Sequence, residues 1–292
     1  MKALVIAEHT DAAAELAGGA RALGADEVEL CCFGGAPEGA ADKVLELEVP
    51  AGAMVDDAYL ALLPYAQGAD CVLVESTRRG KALAGHLAAR LGTAASSATI
   101  ALGAEGARAT YYGGVGERVQ RGTGKQVCVV AAGVCDASAA SGAGEAEQVA
   151  WVAPERAGSV TATEERVKTA ADPTKADVVV AAGRGFAEEA DLDLARGLAD
   201  KLGGAIACTR PLTEGVDWLP SEIYVGVSGL TVTPKAYIAC GISGQMQHMV
   251  GCNRSGTVFA VNKDKNAPVF KQCDYGLVGD VKTVLPALID AL

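Results

Sequence analysis

The chain has 292 residues, half of them hydrophobic and only 4% aromatic, with 36 glycines and a net charge of −11. That length suits one large or two ordinary domains, and the apolar fraction supplies a sizeable core. The acidic balance excludes nonspecific binding to nucleic acid or to anionic membrane, while leaving room for a local basic pocket around a phosphorylated ligand.

Ala3 to Ala7 reads as a strand, and no long apolar signal segment precedes it. No apolar run is long enough to span a bilayer, so the expected location is the cytoplasm. Asp11 to Leu23 reads as a helix capped by Thr10 or Asp11. Strands follow at Glu27 to Phe33 and Val44 to Val49, then a helix at Asp56 to Gln67 and a strand at Cys71 to Glu75. Gly80 to Leu91 is helical, with Leu83, Leu87 and Leu91 on one face. This alternation predicts a parallel sheet with crossover helices.

From Ala98 to Val134 the character changes. Ile100 to Leu102, Ala109 to Tyr112 and Val127 to Ala131 are strand-like and separated by glycine turns at 113–116 and 122–124. We read them as an antiparallel addition to the first sheet. Residues 136–148 read as a loop, with a short strand at Val149 to Val152. Asp172-Pro173, within the segment Arg166 to Lys175, marks a domain boundary. A second cycle then begins, with strands at Asp177 to Gly183 and Ala205 to Thr209 around a helix at Asp191 to Leu202. Val281 to Leu292 is a terminal helix that Pro286 should bend or shorten.

Nine cysteines form no Cys-x-x-Cys pair and no zinc spacing with histidine, and they read as small buried hydrophobes. No Ser-His-Asp order, paired-carboxylate motif or Walker loop stands out.

Ligand-type residues gather in the second half, at strand ends, where open α/β sheets bind nucleotide-like groups. Gly183-Arg184-Gly185 follows a buried strand, and its arginine offers a fork to a phosphate; it is equally a plain turn with a solvated arginine. The Gly-x-Gly-x-x-Gly fingerprint of nicotinamide sites is missing. Thr209-Arg210 ends the next strand, and Arg210 either faces an anion or pairs with a surface acid. Val225-Gly226-Val227-Ser228-Gly229 is a compact loop whose amides and hydroxyl suit a ring system, or else a simple connection. Ser243-Gly244-Gln245-Met246-Gln247-His248 should open a helix with Ser243 as N-cap, favouring pyrophosphate at its amides. Of three histidines, only His248 lies in a ligand-type loop. Asn262 ends a strand and suits a ribose or an adenine edge. Asp280 precedes the last helix as a cap or a ligand contact.

These residues carry a resemblance. Gly241-Ile242-Ser243-Gly244, Gln247-His248, Val261-Asn262-Lys263-Asp264, Ala267-Pro268 and Asp274-Tyr275-Gly276 resemble the FAD-binding domain of the electron transfer flavoprotein α subunit. Leu4-Val5-Ile6-Ala7-Glu8-His9 and Thr77-Arg78-Arg79-Gly80-Lys81-Ala82-Leu83-Ala84 look like that subunit's N-terminal domain. The wording around 226–229 and 244–251 is most similar to the bacterial branch associated with anaerobic carnitine or acyl-CoA metabolism. The resemblance implies an α/β fold of two Rossmann-like domains. Residues 1–170 would be an N-terminal parallel sheet with an antiparallel addition, contacting a β subunit. Residues 173–292 would be the FAD-binding domain, with a hinge at 172–175.

For single residues it implies Arg184 on the phosphate side, and Thr209 with Arg210 by the isoalloxazine. Ser228 would reach flavin N5. His248 would lie near flavin O2, as a donor or a positive charge. Ser243, Gly244, Gln245, Met246 and Gln247 would hold the ribityl–pyrophosphate chain. Asn262, Asp280 and Val281 would hold the adenosine side, and Val225 and Gly226 would line the ring. Val227 stands where many members carry glutamine, so one polar contact is lost. The implied function is electron shuttling between acyl-CoA dehydrogenase-type flavoenzymes and other redox partners, as a heterodimer, with no substrate turnover of its own. The alternatives are a nucleotide-dependent dehydrogenase and a degenerate, non-redox subunit that binds AMP or a partner.

Overall fold

A computed structural model describes residues 1–103, 106–112, 116–121, 124–163 and 171–292. They divide into two compact units, residues 1–163 and 171–292. Among them no helix is long and apolar enough to cross a membrane.

The first unit runs β1 (Lys2–Ala7), α1 (Thr10–Ala22), β2 (Glu27–Cys32), β3 (Lys43–Leu47), α2 (Tyr59–Gly68), β4 (Cys71–Glu75), α3 (Arg78–Leu91), β5 (Ala95–Gly103), β6 (Gly106–Tyr111), β7 (Gly116–Gln120), β8 (Gln126–Val130) and β9 (Glu145–Val149). Its sheet has the order β7-β6-β5-β8-β4-β1-β2-β3-β9. Burial on both faces explains the uniform apolar strands. In β1, Ala3, Val5 and Ala7 pack into one core layer and Leu4 and Ile6 into the other.

Several boundaries differ from the sequence expectation. The N-cap of α1 is His9, with no side-chain cap, because the Thr10 hydroxyl donates instead to the carbonyls of Gly34 and Gly35. The antiparallel addition is β5-β6-β7 alone. The run Val127 to Val130 belongs to β8, parallel to both β4 and β5 and buried on both faces. A short, wholly apolar run is the mark of such a strand, and the glycines before it obscured that. The turns expected at 113–116 and 122–124 fall mostly outside the described residues, as does 166–170 of the boundary segment.

Residues 136–148 hold more structure than a loop. The edge strand β9 lies there, beginning four residues before the strand expected at 149–152, and it pairs parallel with β3 from Lys43↔Glu145 to Leu47↔Val149. Its Glu-Ala-Glu-Gln composition lacks strand propensity. Side-chain pairs to Glu147 hold it, from Lys43 at 2.9 Å and the Tyr65 hydroxyl at 2.5 Å.

The second unit runs β10 (Val178–Ala182), α4 (Leu192–Lys201), β11 (Ala205–Cys208), β12 (Ala236–Cys240), α5 (Met246–Met249), β13 (Thr257–Asn262), β14 (Tyr275–Val278) and α6 (Val281–Ala291). All five strands are parallel, in the order β11-β10-β12-β13-β14. Tyr275 to Val278 forms the exposed edge strand β14. The terminal helix α6 continues through Pro286, anchored by buried Val281 and Leu285. Cys31, Cys71, Cys128, Cys208, Cys240 and Cys252 are buried. Burial pushes the thiols of Cys31, Cys128, Cys208, Cys240 and Cys252 up to about 12.

Candidate functional site

In the second sheet the chain steps from β10 to β11 on one side, then crosses to β12 on the other. The loops leaving β10 and β12 therefore diverge and open a crevice. A cavity of about 770 Å³ fills it, lined by the ends of β10, β11 and β13, the loop after β12 and the loop at 224–228. Sites for small organic ligands span about 300–1,000 Å³.

The two loops at the switch point interlock. The Gly183 amide donates to Cys240 O at 2.9 Å and the Gly185 amide to Gly241 O at 2.8 Å. A Cβ on Gly185 would lie 2.5 Å from the Gly241 Cα, so Gly-Arg-Gly is a packing requirement. Arg184 is left at the cavity, exposed and without an ionic partner among the described residues.

The loop after β12 is held by its carbonyls. Asn262 Nδ2 donates to Ile242 O at 2.8 Å, the Val269 amide to Ser243 O at 3.0 Å, and Gln272 Nε2 to Gly244 O at 2.8 Å. The amides of Ile242 to Met246 donate to no acceptor among the described residues. A run of backbone N–H groups with tethered carbonyls and free donors is an anion cradle. The expected helix with Ser243 as N-cap does not form. Gly244, at φ +80°, turns the chain, and α5 is one turn with Gln245 at its N-cap position and no side-chain cap. Individual amides, not a helix dipole, supply the positive potential.

Thr209 directly follows β11, with its Oγ1 buried at the cavity and unpartnered. Arg210 also lines the cavity, but its Nε binds Glu214 Oε2 at 2.6 Å on the surface, the second of the two sequence readings. The Val227 amide donates to Gln247 O at 2.8 Å, while its side chain stands 60% exposed at the rim. Ser228 Oγ lies 3.0 Å from the Tyr224 hydroxyl.

His248 lines the cavity but presents no ring N–H to it. Its Nδ1 is 2.9 Å from Val225 O, which only accepts, so Nδ1 carries the proton. Nε2, 2.8 Å from the buried Tyr237 hydroxyl, is then the acceptor. Burial pushes the imidazole down to about 4, so it is neutral. The positive charge or donor expected of His248 is corrected to a locked neutral ring. The other two histidines have partners elsewhere: His9 binds Glu75, and His86 stacks on Tyr59 at 4.5 Å.

Of the residues expected at the ligand, Arg184, Thr209, Arg210, Val225, Val227, Ser228, Ser243, Gln245, Gln247, His248 and Asn262 converge on this cavity. Gly226, Gly244, Met246, Asp280 and Val281 do not line it. Gly244 packs behind the cradle, where a Cβ would meet the Val269 amide nitrogen at 2.3 Å. Asp280 caps α6 by accepting from the Lys282 amide at 2.9 Å, and Val281 is buried in the core. Asn262 spends its amide on bracing, with Oδ1 accepting from the Asp264 amide at 2.9 Å.

Sequence reasoning missed Pro211 and Tyr224 as lining residues, and it gave no ligand role to Asp264, Ala267 and Pro268. Asn262-x-Asp264-x-Asn266 carried a signal, because Asn262 and Asp264 each accept from the backbone amide two residues on. Tyr224 carried none, since nothing local distinguishes it from a core aromatic.

Residues 3–156 match the family model described as electron transfer flavoprotein domain, and residues 172–253 match electron transfer flavoprotein FAD-binding domain. The chain is 45% identical over 233 residues to Protein FixB of Escherichia coli O1:K1 / APEC and of Escherichia coli O139:H28 (strain E24377A / ETEC). It is 44% identical to Protein FixB of Escherichia coli O7:K1 (strain IAI39 / ExPEC). Each alignment covers 77% of this chain and 74% of the relative. The residues present fit a flavin dinucleotide: free amides and an uncommitted arginine suit its pyrophosphate, and the orphaned Thr209 hydroxyl lacks only a polar ligand atom. The chain thus belongs to the electron transfer flavoprotein α-subunit family, whose members carry electrons rather than turn over substrate, and its cofactor is FAD.

Proposed function

We propose that the cavity of the second unit is the FAD seat. On this reading the chain shuttles electrons between acyl-CoA dehydrogenase-type flavoenzymes and other redox partners. It does so in the cytoplasm, as a heterodimer with an electron transfer flavoprotein β subunit. The branch linked to carnitine or acyl-CoA metabolism is the one its wording fits. Any second flavin for electron bifurcation would belong to the β subunit.

The observation that carries this reading is the row of free amides from Ile242 to Met246, with its carbonyls held from behind. A dianionic pyrophosphate takes such donors without reorganisation. Bound FAD supplies the electron-accepting and electron-releasing chemistry. This chain binds it, orients it and sets the field around it. Ser243, Gln245 and Gln247 hold the ribityl–pyrophosphate side with Arg184 as counter-charge. Thr209 and Ser228 would offer hydroxyls to the ring, and Val225 and the neutral His248 would line its pocket. Arg210, if released from Glu214, would supply positive charge beside the ring. Asn262 faces the adenosine side. Gly226, Gly244 and Met246 shape the loops, while Asp280 and Val281 hold α6 in place. Residues 1–170 form the domain that meets the β subunit, and 173–292 the FAD domain, which turns about a hinge at 172–175.

Co-expression with the β subunit tests the proposal. The purified pair is expected to be yellow and to bleach on reductive titration. A colourless pair that takes up no added FAD overturns it.

A further inference from the structure

We propose that Tyr224 is a positioning residue that aims the proton of Ser228 into the cavity; this rests on the FAD reading of that cavity. The Tyr224 side chain is only 8% exposed, and its hydroxyl lies 3.0 Å from Ser228 Oγ. Neither hydroxyl has another polar partner among the described residues. Ser228 itself is exposed at the cavity mouth.

The loop is built around the tyrosine ring. A Cβ on Gly226 would lie 3.1 Å from a Tyr224 ring carbon, and one on Gly229 would lie 2.7 Å from another. The Leu230 amide closes the loop onto Tyr224 O at 2.7 Å, and the Val225 amide ties it to Cys208 O at 2.9 Å. The phenol therefore has little freedom, and Ser228 Oγ is the acceptor within its reach. Once Ser228 accepts that hydrogen bond, its own O–H cannot point back and turns toward the cavity. A hydroxyl that accepts one hydrogen bond also donates a stronger one. The group this serves is an acceptor atom on a conjugated ring that gains electron density on reduction, as the flavin ring does.

The test uses the FAD-loaded complex and potentiometry on its bound FAD. Tyr224→Phe keeps the ring between the two glycines and removes only the hydroxyl. Ser228→Ala is expected to disfavour one-electron reduction by about tenfold, or ~59 mV. Tyr224→Phe should shift it the same way by about fivefold, or ~40 mV, and should add nothing to Ser228→Ala in the double variant. A wild-type potential in Tyr224→Phe beside a shifted Ser228→Ala overturns the proposal, as do additive effects or an unshifted Ser228→Ala. Loss of FAD from Tyr224→Phe while the wild type stays loaded also overturns it, making the tyrosine a prop only. A wild-type complex without FAD would instead strike the FAD reading itself.

Discussion

The two units place a crevice at the same point of their sheets and treat it in opposite ways. In the first, the chain departs on either side of β1, toward β2 and toward β4, so the ends of β1 and β4 face a switch point. Glu75 fills it. Its Oε2 accepts from the amides of Glu8 and His9 at 2.7 and 3.0 Å, and its Oε1 meets His9 Nδ1 at 2.6 Å. Glu8 is in turn held by Thr77 and by Arg79, the latter at 3.2 Å. The cavity left there is about 10 Å³, room for about one water molecule at most. In the second unit the equivalent Gly183 amide donates to the backbone carbonyl of Cys240, no acidic side chain fills the switch point among the described residues, and a cavity of about 770 Å³ remains beside the free amides that follow β12. One architecture yields a sealed crevice or a ligand seat according to whether the chain supplies its own anion.

The largest expected effect comes from closing the open crevice. In Gly244→Ala the new Cβ meets the Val269 nitrogen at 2.3 Å, at a φ of +80°. Strain and displacement of the cradle should destabilise the second unit by about 3 kcal/mol or more and abolish FAD retention. Flavin content and thermal unfolding check this. A fully loaded, equally stable variant would mean that the cradle does not depend on this turn.

Acid should open the second unit next. His248 is buried neutral at about 4, against an ordinary value of 6.5. Between those values the unfolded chain binds a proton that the folded chain refuses, so stability rises with pH across the window and is lost as pH falls through it. Full protonation of the unfolded state destabilises by an amount on the order of 3 kcal/mol. Urea midpoints of the second unit from pH 7 to pH 4 should show this slope. His248→Gln should flatten it, and a slope unchanged in that variant would show that another group titrates.

This contrast bears on what was legible beforehand. The alternation of Val178 to Ala182 with an amphipathic helix foretold the second sheet, because burial on both faces leaves a continuous apolar run. The cavity-lining loops were legible too, since glycines and polar residues at strand ends have few other uses. Bonds between distant segments were not. Nothing near His248 in sequence announces that Tyr237 and Val225 fix its tautomer, and nothing near Ser243 shows that Val269 claims its carbonyl. Strand β9 escaped for a similar reason, as its partners Lys43 and Tyr65 lie far along the chain.

The smallest effect falls on the sealed crevice and tests the comparison most directly. Glu75 lies in the first unit, whereas the candidate FAD cavity is lined by residues of the second. Glu75→Ala removes the acceptor of the Glu8 and His9 amides and leaves His9 without its carboxylate partner. Because the site lies near the surface, water can enter and satisfy part of what is lost, which holds the destabilisation to about 1–2 kcal/mol. Urea unfolding of the first unit should register that loss while flavin content stays at the wild-type level. If FAD were lost as well, the two crevices would be coupled. If stability did not change, Glu75 would be a bystander, and the closure of the first crevice would have to come from the packing of Phe33, Val55 and Leu83 around it.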